Sequence, residues 1–112
     1  MAQEAFDALA DPTRRQILLY LAEHEEATAG DIADQIGNVG RTAVSSHLRV
    51  LRTSSLVVER REGRYRYYSL DVQGPVREVL SFLESLLGSS LQSLKPAAAA
   101  ASKRQPNVRR AR

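Results

Sequence analysis

The sequence predicts a mainly α-helical domain carrying one small β-hairpin, and three observations support this. Apolar residues recur at helical spacing through the first fifty residues and again from Val72 to Leu94. Two β-like runs, Leu56 to Arg61 and Tyr65 to Leu70, flank Glu62-Gly63, the pattern of a tight hairpin. Capping residues and a glycine terminator divide the helices where the apolar pattern lapses. Helix, turn, helix and hairpin in this order make a winged helix-turn-helix.

Residues 3–10 form a short amphipathic helix with Phe6 and Leu9 as its apolar contacts, broken by Asp11-Pro12. Asp11 caps the next helix and Pro12 fits its first turn, where a missing N–H costs nothing. That second helix runs to about Glu23 with Ile17, Leu18 and Leu21 inward. Thr28, with Asp31 three residues on, approaches a capping box for a third helix carrying Ile32, Ala33 and Ile36, which stops at Gly37. Gly37-Asn38-Val39-Gly40 turns the chain into a helix over 41–53. Its Val44, Leu48 and Leu51 fall on one side, and Arg41, Thr42, Ser45, Ser46, Arg49 and Arg52 on the other. After the hairpin, residues 72–94 read as a helix of roughly five turns, which Gly88 weakens by about 1 kcal/mol.

The net charge of +3 hides a strong asymmetry. Residues 1–40 carry two Arg against eight acids, and residues 41–66 carry seven Arg against two. A basic module backed by acidic helices is the footprint expected of a protein that meets a polyanion, although a solvated charged surface would also give it. Residues 95–112 hold six cations, two Pro and no acid, and cannot bury enough surface to order themselves. They are expected to be a basic tail beside a folded domain at 1–94, adding salt-sensitive attraction to DNA or simply solubility.

In the helix at 41–53, Thr42, Ser45 and Ser46 are short enough to let the backbone approach base edges. Arg41 and Arg49 are long enough for bidentate contact with guanine or with phosphate. His47 either touches DNA or packs, and Arg52 either contacts DNA or complements the helix dipole. In the hairpin, Arg64 beside the turn glycine can reach the backbone or minor groove, with Arg61 and Arg66 as flanking phosphate contacts. Strand alternation separates Tyr65 and Tyr67 from Tyr68, which favours packing over base stacking for at least one face. Arg14 and Arg15 suit either phosphate or the nearby acids.

The stripe of Val76, Val79, Leu80, Leu83 and Leu87 on the last helix is wide for a domain with so little interior. It is assigned, with Phe6 and Leu9, to a second copy of the chain, with packing on its own domain as the alternative. With no Cys, disulfides and thiolate metal sites are excluded. No apolar run is long enough to span a bilayer and no N-terminal signal pattern is present, so the expected location is the cytoplasm. No nucleophile, base and acid fall in a catalytic pattern, and Ser45, Ser46 and His47 are mere neighbours on a helix; an enzyme is not expected.

Three segments together resemble the ArsR family of bacterial winged-helix repressors: Ala8-Leu9-Ala10-Asp11-Pro12-Thr13-Arg14-Arg15-Gln16-Ile17-Leu18, Thr42-Ala43-Val44-Ser45-Ser46-His47-Leu48-Arg49-Val50-Leu51, and Arg61-Glu62-Gly63-Arg64 with Tyr67-Tyr68. They span about residues 5–71. The resemblance implies a homodimer built from the first and last helices that binds a palindromic double-stranded operator and represses transcription. Two features depart from the pattern: the turn at 37–40 is one residue longer, and Ser55 stands where glycine is common, which implies a left-handed serine costing about 1 kcal/mol. Metal sensors of the family take ligands from Cys of the third helix or from His and carboxylates of the last. Here the third helix reads Gly30-Asp31-Ile32-Ala33-Asp34, and the only imidazoles are His24 and His47. The chain therefore resembles the branch without metal sites or cofactor, whose effectors vary or are unknown. The competing function is a winged-helix protein-interaction module, which would expose apolar anchors where this chain has arginine.

Overall fold

The computed structural model describes residues 2–93, so the expected tail at 95–112 lies outside the described residues. The element order is α1 (Ala2–Leu9), α2 (Pro12–Glu23), α3 (Ala29–Ile36), α4 (Arg41–Thr53), β1 (Val57–Glu62), β2 (Tyr65–Leu70) and α5 (Pro75–Ser93). This is the mainly helical, single-hairpin winged helix-turn-helix that the sequence predicts.

Local chemistry sets the boundaries. Asp11 Oδ1 accepts the Thr13 and Arg14 backbone N–H groups at 2.8 and 3.1 Å, with Pro12 at the first position of α2. Thr28 and Asp31 complete a reciprocal capping box at α3, which ends at Gly37 with φ 89°. Helix α4 closes in a Schellman arrangement: the Leu56 N–H reaches back to the Leu51 carbonyl at 2.9 Å and that of Ser55 to Arg52 at 3.0 Å. Ser55 takes φ 63°, the left-handed conformation anticipated for it. Buried Leu51 and Leu56 supply the apolar pair that accompanies this motif.

Two boundaries differ from the sequence reading. The wing pairs Glu62 with Tyr65, so its two-residue turn is Gly63-Arg64 rather than Glu62-Gly63, and Gly63 takes the positive φ of 63° at the first turn position, where a type II′ turn requires it. Helix α5 begins at Pro75 rather than Val72, because the proline ring disfavours helix before it and suits the first position. Asp71 instead folds a turn by accepting the Gln73 N–H at 2.9 Å.

Residues up to Val79 form one compact unit. Its core gathers Ile17 and Leu21 from α2, Ile32 from α3, Val44, Leu48 and Leu51 from α4, then Leu56, Val57, Tyr68 and Val79. The hairpin is antiparallel, and Ala27 bridges β2 through reciprocal backbone bonds with Tyr68 at 2.8 and 3.0 Å. This fixes the root of the wing to the connection between α2 and α3. From Leu80 onward α5 belongs to a second unit, in which Leu80, Leu83, Leu86 and Leu87 are 49 to 60 % exposed. None of the described helices is long and apolar enough to cross a membrane.

Candidate nucleic-acid interface

Helix α4 separates its two faces as its spacing dictates. Val44, Leu48 and Leu51 are fully buried, which locks the helix to the core. Arg41, Thr42, Ser45, Ser46 and Arg49 are all exposed, while His47 is half-buried at their edge. Arg14 Nη1 lies 3.4 Å from His47 Nδ1.

Two depressions gather part of the exposed cations. Arg41 and Ser45 of α4 line a polar cleft of about 420 Å³ with Arg64, Tyr65 and Arg66 of the wing and Thr28 and Gly30 at the start of α3. The Arg41 guanidinium lies over Gly30, in space that any Cβ there would occupy. Helix α4 and the wing thus share one cationic hollow. Arg49 lines a different depression, of about 310 Å³, with Glu4, Asp7 and Arg14.

Pairing decides which arginines are left for a ligand. Among the described residues, Arg41, Arg49, Arg61 and Arg64 have no carboxylate within 4.0 Å. Arg61 and Arg66 stand directly opposite each other in the hairpin, a like-charge pair that a polyanion would relieve. Arg66 Nε is 4.0 Å from Glu59, and Arg52 Nη1 donates to Glu59 Oε1 at 2.9 Å. Arg52 therefore spans from α4 to the wing instead of serving the helix end alone. Arg14 and Arg15 bond backbone carbonyls of α1: Arg14 Nε donates to Ala8 at 2.8 Å and Arg15 Nη1 to Leu9 at 2.7 Å. The unpaired carbonyls at a helix end outcompete the more distant carboxylates that the sequence suggested as their partners.

Two wing residues escaped the sequence reading. Arg60 grips Glu26 with both Nε and Nη2, at 2.9 and 2.8 Å, donates to Glu62 at 2.8 Å, and lies 4.7 Å from the centre of the Tyr67 ring. The hydrogen bond from Arg60 holds the Glu26 carboxyl below the usual carboxylate range despite some desolvation, and Glu26 in turn raises the Arg60 guanidinium. Glu59 is the other. Desolvation pushes its carboxyl up, but the Tyr68 hydroxyl, Arg52 and Arg66 together pull it below the ordinary range. Alternation along β1 puts Arg60 on the face opposite Glu59 and Arg61, but the partners Glu26 and Arg52 lie in other elements, where the sequence pattern does not reach.

Residues assigned to a second copy fall in two settings. Val79 is buried and Val76 packs against the core of the first unit, whereas Leu80, Leu83 and Leu87 are exposed. Phe6 is exposed and Leu9 packs on the core. Among the described residues, no three His, Cys, Asp or Glu side chains are grouped to hold a metal ion.

Comparison with known proteins agrees with this geometry. Residues 9–60 match a family model described as a helix-turn-helix domain. The chain is 37 % identical over 81 residues to the transcriptional repressor SdpR of Bacillus subtilis, covering 70 % of this chain and 88 % of that protein. It is 47 % identical over 70 residues to an HTH-type transcriptional regulator of Mycobacterium tuberculosis, covering 62 % of this chain and 64 % of that one. Among solved structures, an ArsR family transcriptional regulator superposes with a TM-score of 0.67 at 27 % identity, over 77 % of this chain and 91 % of the other. With buried apolar residues locking α4, a serine and arginine face beside a cationic wing, and these relatives, the chain belongs to the ArsR family of DNA-binding, helix-turn-helix transcriptional repressors.

Proposed function

We propose that the chain acts as a homodimer on a palindromic operator, with each α4 in a major groove and each wing along the flanking backbone. The observation that carries this is that, among the described residues, Arg41, Arg49, Arg61 and Arg64 of α4 and the wing have no carboxylate within 4.0 Å, and that α4 also exposes the short side chains Thr42, Ser45 and Ser46. Arg41, Arg49 and the short residues read base edges, Arg61, Arg64 and Arg66 take phosphate, and His47 and Arg52 border the contact. The cleft shared by Arg41, Ser45, Arg64 and Arg66 supports helix and wing meeting the same stretch of backbone.

The apolar stripe Leu80, Leu83 and Leu87, exposed on α5, supports the dimer, since a self-complementary helix face is what a two-fold interface uses. Phe6, exposed on the first unit, is proposed as a further contact with the second copy, with Leu9, Val76 and Val79 packed behind it into the core of that unit. The absence of Cys, with His24 just after α2 and His47 inside α4, favours a repressor that senses no metal and carries no cofactor or catalytic function. It works in the cytoplasm, where its operator is, and the tail at 95–112 adds general attraction to DNA.

Selecting duplexes from a random pool with the full chain, then footprinting the winners, tests this. Two inverted half-sites about 34 Å apart, centre to centre, are expected from two recognition helices on one face of the duplex. A single half-site protected by a monomer contradicts the proposal.

A further inference from the structure

Glu59 is an acid inside a surface built to attract a polyanion, and its side chain is only 14 % exposed. Its two oxygens are shared between elements. Oε1 accepts Arg52 Nη1 at 2.9 Å from the last turn of α4, and Oε2 accepts the Tyr68 hydroxyl at 3.1 Å from β2, with Arg66 Nε 4.0 Å away. Tyr68 stands opposite Glu59 in the hairpin register and is bonded through its backbone in both directions to Ala27. One carboxylate therefore connects the recognition helix, both wing strands and, through Tyr68, the α2–α3 connection. The same carboxylate holds Arg52 and neighbours Arg66, so the phosphate contact proposed for Arg66 is made from a restrained position.

We propose that Glu59 is a positioning residue for sequence selection: it fixes the wing relative to α4 and restrains Arg52 and Arg66 from indiscriminate phosphate contact, so that helix and wing must fit one duplex together. The physical basis is the difference between the two kinds of contact. Phosphate attraction is the same for every sequence and scales with the number of free cations, whereas base readout requires a fixed approach angle. Loosening Glu59 adds to the first and subtracts from the second. The proposal rests on α4 and the wing engaging the same DNA.

The test compares the parent chain with Glu59→Gln and Tyr68→Phe on two duplexes: the one the parent enriches from a random pool, and a scrambled version. Salt dependence is measured for each, at a temperature where circular dichroism shows all three proteins folded. Glu59→Gln is expected to bind the scrambled duplex more tightly, with a salt slope steeper by about one to two ion equivalents from the released arginines. Its preference for the selected duplex falls about tenfold. Tyr68→Phe keeps the charge but loosens the carboxylate, so preference falls by a smaller factor with little change in slope. If Glu59→Gln tightens both duplexes equally and the preference is unchanged, Glu59 is only a repulsive charge and the proposal fails. It fails also if the preference holds in both variants while only their melting temperatures drop, which would make the contacts purely a support of the fold. A parent chain that enriches no duplex overturns the shared interface itself, and the clamp with it.

Discussion

Ser55 carries a cost that its neighbours offset. Its φ of 63° crowds the Cβ against the backbone, yet the position is held because the Schellman bonds of Ser55 and Leu56 and the buried Leu51–Leu56 pair end α4 there. The side chain is exposed and makes no hydrogen bond among the described residues, so nothing is lost by removing it. Ser55→Gly should raise unfolding stability by about 1 kcal/mol, read from the urea midpoint at unchanged slope. A lower midpoint would show that the serine contributes something beyond its backbone. Ser55 was legible in the sequence because its conformation follows from the resemblance alone. The partners of Arg52, Arg60 and Arg66 were not, since a residue list shows seven arginines in the basic segment without showing which of them Glu26, Glu59 and Glu62 reach.

Elements were most legible where a cap marks them. Asp11-Pro12 and the Thr28–Asp31 box placed the starts of α2 and α3, because their chemistry is local and fixed by spacing. The start of α5 and the wing turn were displaced because Pro75 and Gly63 compete with the periodicity around them. The cap of α2 also gives the fold an acid sensitivity. The Arg14 backbone N–H, with Thr13 and the nearby charges of His47 and Arg14, holds the Asp11 carboxyl below its ordinary range despite partial desolvation. A depressed carboxyl binds fewer protons folded than unfolded, so its contribution is complete above the ordinary carboxylate range and is lost as pH falls through the folded value. Asn caps a helix about as well as Asp but does not titrate. Asp11→Asn should therefore flatten the loss of stability below about pH 5 in urea titrations. An unchanged acid limb would assign that sensitivity elsewhere, with Glu26 and Glu59 the next carboxylates held low.

At the scale of the whole molecule, the proposed binding to a palindromic operator needs two copies of the chain. The apolar spacing of α5 was plain in the sequence, and the structure separates its Val79, buried in the first unit, from the exposed Leu83 and Leu87. Leu83→Glu with Leu87→Glu should convert the chain to monomer in sedimentation equilibrium and weaken operator binding while leaving the first unit folded. A dimer that persists in this variant would place the interface on another surface. The central claim, though, is that α4 and the wing are the surface that holds DNA. It is tested most directly by the affinity of an Arg41→Ala, Arg49→Ala, Arg64→Ala triple variant for the selected duplex. These arginines have no carboxylate partners among the described residues, so the protein should stay folded while affinity drops at least about a hundredfold, given roughly 1–3 kcal/mol for each good base contact. A triple variant that binds that duplex as tightly as the parent would contradict the account.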